Sequence, residues 1–169
     1  VCVYTLCPPD ALRGDAAINA NILQNMGFAM ELLGPESLER FSQNCSEADL
    51  VIDGLFGTGL NRDVEGMALE AIDRMNRHAA CILSIDIPSG IDGLTGRICG
   101  RCVRADYTVT FFLPKLGMVQ YPAKAYLGEL TVADIGIPYA LADGLETCEL
   151  TEGETVWQIL PPRPEDAHK

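Results

Sequence analysis

The apolar positions of this chain fall in six short runs, at residues 1–6, 28–32, 50–53, 80–86, 107–112 and 128–133. Runs of this length, bounded by Gly, Pro and Asp, predict buried strands rather than helices. Between the first four runs the spacing becomes helical. Residues 15–26 predict a helix with Asp15 as its N-cap, Ile18, Ile22 and Met26 on one face, and Gly27 as its stop. A weaker helix is expected over 37–44, and another over 65–77 with Ala68, Ile72 and Met75 facing inward. Residues 90–101 carry four glycines and predict a loop with room for a small hairpin. Strands alternating with helices mean βαβ units. The expected fold is a Rossmann-like three-layer α/β/α sandwich with a mainly parallel sheet.

Composition narrows the class. With 169 residues the chain suits one domain, and 48% hydrophobic against 21% charged residues is ordinary for a soluble globular protein. Periodicity fades after Pro138. Leu160-Pro161-Pro162-Arg163-Pro164-Glu165-Asp166 predicts a proline-stiffened linker, so the expected organisation is a domain over 1–138 and a connection over 139–169. The chain opens on Val1, already inside a strand and without Met, and reads as a piece of a longer protein. A formal net charge of −12 argues against a nucleic-acid groove. No run approaches the ~18 apolar residues of a membrane span. Seven cysteines, scattered and odd in number, suit reduced thiols in the cytoplasm better than secreted disulfides. Cys99 and Cys102 form a CxxC pair, but no second pair or nearby His completes a zinc site.

Two strand ends carry the candidate chemistry. In Ser84-Ile85-Asp86-Ile87-Pro88-Ser89-Gly90, a strand runs into an acid and then a hydroxyl three residues later. In Leu50-Val51-Ile52-Asp53-Gly54-Leu55-Phe56-Gly57-Thr58-Gly59-Leu60, another strand ends on an acid and a glycine-rich turn. Open α/β sheets bind ligands beyond the carboxyl ends of their strands, so the two ends are expected to form one site. Gly54, Gly57 and Gly59 allow close backbone approach to a ligand, although the turn matches neither the dinucleotide fingerprint nor the Walker pattern. A single acid in such a place is commonly a turn cap, and two side by side favour a ligand site. Ser89 lacks a plausible His partner for nucleophilic chemistry. A hydroxyl beside carboxylates better suits a hard cation, which prefers oxygen. Lys115 follows a third strand end, within possible reach of the same crevice or as a solvated lysine. Asn61, Arg62 and Asp63 could bind polar ligand groups or cap the next helix.

Taken in order, several stretches resemble the YjeF N-terminal domain family of NAD(P)H-hydrate epimerases. They are Gly14-Asp15-Ala16-Ala17, the Asp53–Leu60 and Asp86–Asp92 segments, Val103-Arg104-Ala105-Asp106-Tyr107-Thr108-Val109-Thr110-Phe111, Pro114-Lys115, and Ala133-Asp134-Ile135-Gly136-Ile137-Pro138. The resemblance implies a metabolite-repair isomerase that interconverts the R and S forms of hydrated NADH or NADPH. By motif position, Asp53 and Ser89 would coordinate a potassium ion. The turn of Gly57, Thr58, Gly59, Leu60, Asn61, Arg62 and Asp63 would hold the dinucleotide. Asp86 would contact the substrate and act as the acid/base group, with Lys115 in support. Residues 160–169 resemble the opening of an ADP- or ATP-dependent NAD(P)H-hydrate dehydratase, a lyase fused to the epimerase in bifunctional bacterial proteins. Family members carry an Asn-Gly-Gly-Asp-Gly loop and a helix before the strand that starts here. That loop supplies another potassium ligand, so the resemblance implies that this chain holds about half of the site and leaves a sheet face exposed. The expected partners are a small-molecule substrate and the fused dehydratase, with self-association open and neither nucleic acid nor membrane. The rival reading is a non-catalytic protein-interaction module of the same family. A generic nucleotide binder is a more distant one.

Overall fold

In the computed structural model, which describes residues 1–143, all six predicted strands form. They are β1 (Val3–Thr5), β2 (Met30–Leu32), β3 (Val51–Asp53), β4 (Ile82–Ile85), β5 (Tyr107–Phe111) and β6 (Glu129–Ala133). Helices α1 (Gly14–Asn25), α2 (Leu38–Glu47) and α3 (Gly66–His78) connect the first four. The β4–β5 connection is the glycine loop, with an antiparallel bridge between Ile91 and Ile98 that supplies the small hairpin. Two 3-10 turns, Leu116–Val119 and Ala123–Tyr126, join β5 to β6. Every strand pairing is parallel, in the orders β1-β2 and β3-β4-β5-β6. The segment Val1–Ile135 is one compact unit. Beyond it, among the described residues, a 3-10 turn spans Tyr139–Ala142. The expected linker over 160–166, with Cys148 and His168, lies outside the described residues. No helix among the described residues is long and apolar enough to cross a membrane.

The register decides which side chains meet. Asp53, Ser84 and Thr108 lie opposite one another across β3, β4 and β5, and all three are fully buried. Alternation then places Val51, Ile82, Thr110 and Leu130 on the same face. Two apolar clusters include or adjoin residues of that face. One contains Phe41 and Cys45 of α2, Ala71, Ile72 and Met75 of α3, and Ile82. The other gathers Ile87, Ile91, Cys102, Met118, Ala123 and Leu127, with Leu130 against it. The opposite face is left largely open, with Ile52, Ile85 and Tyr107 each more than two-fifths exposed. The exposed sheet face expected from the resemblance is therefore present. A cavity of about 670 Å³ is lined by both β1 and β3, whose sheets share no ladder.

Two details depart from the sequence pattern. Asp15 is not the N-cap of α1, because Gly14, at φ +57°, starts the helix one residue earlier. Arg13 takes the N-cap position and donates instead to the carbonyls of Asp10 and Leu12. The stripe Ile18, Ile22 and Met26 shares a face as the spacing predicts, but that face is at least half exposed rather than core. In α3 the inward assignment holds for Ile72 and Met75, with Ala71 buried and Ala68 half-buried beside them.

Candidate functional site

The candidate residues lie at the carboxyl ends of β3, β4 and β5. Asp53 ends β3, and its carboxylate is fully buried. A buried charge persists only when its lone pairs are occupied. Asp53 Oδ2 accepts from Ser84 Oγ and from the Ser89 N–H, both at 2.8 Å. Asp53 Oδ1 accepts from Ser89 Oγ at 2.6 Å and from the Leu55 N–H at 3.3 Å. Ser89 Oγ in turn accepts from the Phe56 N–H at 2.9 Å. Thus one carboxylate ties the loop after β3 to the loop after β4, and the two strand ends are neighbours as the sequence predicts. Gly90 makes this junction possible: at φ +100°, a Cβ there would stand 2.0 Å from the Arg101 carbonyl oxygen.

The oxygens of Asp53, Ser89 and the Phe56 carbonyl are the donor set a hard cation would meet. Ser89 Oγ lies 2.6 Å from Asp53 Oδ1 and 3.4 Å from the Phe56 oxygen. Such a set fits potassium in kind, being all oxygen, and fills only part of a coordination shell. Among the described residues, no cluster of three His, Cys, Asp or Glu side chains offers a metal site. Burial pushes the Cys102 thiol up to about 12, and Cys99 is also raised by burial, which disfavours the thiolate that a metal or redox role needs.

The turn after β3 runs across the surface as an open arm. Gly57, Thr58, Gly59, Asn61, Arg62 and Asp63 are exposed and Leu60 is half-buried. A Cβ at Gly57 or Gly59 would meet nothing, and neither glycine has a left-handed φ. The protein's own packing therefore does not require glycine at these positions. The end of the turn is fastened to the glycine loop by an Asp63–Arg97 ion pair at 3.0 Å and by the Val64 N–H to the Cys99 carbonyl.

Asp86 follows β4 in a different environment. Its φ of +67° is one of two left-handed values at non-glycine residues in the described chain, and the other is Phe112, just after β5. Such conformations cost on the order of 1–3 kcal/mol and gather at functional sites. Here they turn two strand ends towards each other. The Asp86 N–H is bonded to the Val109 carbonyl. Asp86 Oδ1 accepts from Thr110 Oγ1 at 3.1 Å, from the Phe111 N–H at 3.3 Å, and from Lys115 Nζ. All three bonds fall on Oδ1, and none from the described residues falls on Oδ2. Burial pushes the Asp86 carboxyl up, but the Lys115 hydrogen bond and charge, with Phe111 and Thr110, outweigh it and hold the pKa below the ordinary value. Asp86 is therefore an ionised carboxylate with about a fifth of its side chain exposed and one oxygen uncommitted. The role of Lys115 was the least legible of these. Its sequence signals were its place just beyond a strand end and the Pro114-Lys115 match to the family, and neither says that it meets Asp86.

Residues 1–117 match the family described as YjeF-related protein N-terminus. The chain is 42% identical over 167 residues to the bifunctional NAD(P)H-hydrate repair enzyme Nnr of Thermofilum pendens, covering 99% of this chain and 31% of that one. It is 35% identical over 141 residues to the NAD(P)H-hydrate epimerase of Rhodopirellula baltica, covering 83% of this chain and 57% of the relative. The chain thus spans under a third of the first of these relatives and little more than half of the second. The crystal structure of yeast ynu0 superposes with a TM-score of 0.59 at 17% identity, over 85% of this chain and 60% of the yeast chain, a likeness of fold.

Proposed function

Because the chain belongs to the YjeF-related protein N-terminus family, we propose that it interconverts the R and S forms of hydrated NADH and NADPH, as the epimerase part of a repair enzyme. Asp86 carries this reading, as an ionised carboxylate with one oxygen uncommitted at a strand end of an open α/β sheet. The chemistry asks for such a group. The substrate bears a hydroxyl on the carbon beside an enamine nitrogen. A proton delivered to that oxygen lets it leave as water, and the nitrogen lone pair stabilises the planar carbon left behind. Water returning to the opposite face forms the new C–O bond and gives up a proton. Electrons balance without redox chemistry. Ionised Asp86 can take up the proton that the attacking water gives up, and the acid so formed can return a proton to the leaving oxygen when the step runs the other way.

The exposed turn from Gly57 to Asp63 would hold the dinucleotide, its backbone N–H groups facing the phosphates. Asp53 and Ser89 would hold a potassium ion, which would supply positive charge beside the anionic substrate and order the two loops. In the longer protein the partner would be a dehydratase, a lyase that removes one epimer and draws the other through. The buried, unpaired thiols Cys45, Cys99 and Cys102 support action in a reducing cytoplasm.

The test follows the approach of R and S NADPH hydrates to equilibrium by chromatography, with the longer protein that contains this chain. Wild type is expected to equilibrate them faster in potassium than in sodium, and Asp86→Ala to lose roughly 10²-fold or more in rate. If wild type leaves the epimers untouched in both salts, the enzyme reading fails and a non-catalytic interaction module takes its place.

A further inference from the structure

We propose that Lys115 is a positioning residue for the epimerase reaction: it fixes Asp86 by one carboxylate oxygen so that the other is presented to substrate. This rests on the epimerase reading of Asp86. An ammonium group has three protons and no lone pair. Lys115 Nζ donates to Asp86 Oδ1, to Thr110 Oγ1 at 2.8 Å and to the Phe111 carbonyl at 3.3 Å. All three protons are committed to the protein. Lys115 is therefore spent on holding, and acts on substrate only through Asp86.

The backbone independently supports this assignment. Lys115 comes from the chain just beyond β5, and Asp86 from the end of β4. Each strand leaves the sheet through a left-handed non-glycine residue, Asp86 at +67° and Phe112 at +65°. Strain of that kind, at one member of an ion pair and three residues before the other, persists only where surrounding contacts hold it. Thr110 closes the cluster, accepting from Lys115 and donating to Asp86. The 3-10 turn at Leu116–Val119 anchors the lysine's backbone, with Met118 buried beneath it. Lys115 is the one charged side chain paired with Asp86 among the described residues. The other contacts to the carboxylate, from Thr110 and the Phe111 N–H, are neutral.

The experiment compares wild type, Lys115→Met and Lys115→Arg by two readouts. The first is the pH dependence of epimer interconversion. Lys115→Met is expected to lower kcat about tenfold to a hundredfold with KM little changed. It should also move the limb of the profile set by Asp86 to higher pH, because the charge that held the carboxyl down is gone. Lys115→Arg keeps the charge and should return that limb towards its wild-type position. The second readout needs no substrate: the carboxyl carbon of Asp86 is titrated by NMR in protein labelled at aspartate, the signal being assigned by its loss in Asp86→Asn. An upward move of this titration in Lys115→Met, partly reversed in Lys115→Arg, supports the assignment. A Lys115→Met protein that folds with wild-type kcat and an unmoved Asp86 titration overturns it. If wild type fails to interconvert the hydrates while the NMR titration still moves, the epimerase reading falls and the Lys115–Asp86 clamp stands as a feature of a different site. The positioning role proposed for Lys115 in that reaction falls with that reading.

Discussion

Two carboxylates close together in sequence design have opposite tasks. Asp53 is fully buried and accepts four hydrogen bonds, so it joins two loops whatever else it holds. Asp86 is partly exposed and anchored through one oxygen, so it retains capacity for a ligand. The difference is one of local wiring, since both acids end apolar strands. Removing the Asp53 carboxylate strands the Ser84 and Ser89 hydroxyls and two N–H groups in a dry interior. Asp53→Ala is therefore expected to lose about 3 kcal/mol of stability, measured by urea unfolding. A midpoint unchanged from wild type would show that Asp53 is held for ligand binding alone.

At the scale of elements, stability is unevenly shared. β4 lies between β3 and β5 with polar and apolar cores against one face. β1 and β2 form a two-stranded sheet of three residues per strand, and such a sheet is marginal by itself. Tyr4 and Leu6 reach the α2–α3 core, and a Tyr4–Phe41 edge contact at 4.9 Å holds that sheet in place. Amides of β1 and β2 are expected to exchange with deuterium well before those of β4 and β5. Equal protection across all four strands would mean that the two sheets open as one cooperative unit. Helix α1 adds little to the core, because Ile18, Ile22 and Met26 face outward. Its pattern marks a face that could be buried and does not by itself say against what.

At the scale of the whole molecule, the proposed function has a chain of formal net charge −12 bind a dinucleotide that is itself anionic. Long-range repulsion between the two is screened by salt. Added sodium chloride at constant potassium is therefore expected to lower the apparent KM for the hydrated dinucleotide, by roughly twofold. A KM that rises steeply instead would point to a positively charged site outweighing the overall charge.

The sequence alone determined the order and kind of the elements, because short apolar runs of four to seven residues, set between turn residues and helical stretches, have few other stable uses. It also determined the strand-end location of Asp53, Asp86 and Ser89, which follows directly from where those runs stop, and the family, which the ordered motifs carry. Only the tertiary structure decided which acid is fully buried and which keeps an oxygen uncommitted, because that depends on hydrogen-bond donors from distant parts of the chain: Ser84 and Ser89 for Asp53, and Thr110, Phe111 and Lys115 for Asp86. It likewise decided that the α1 stripe faces outward, since periodicity fixes which residues share a face and packing fixes where that face points.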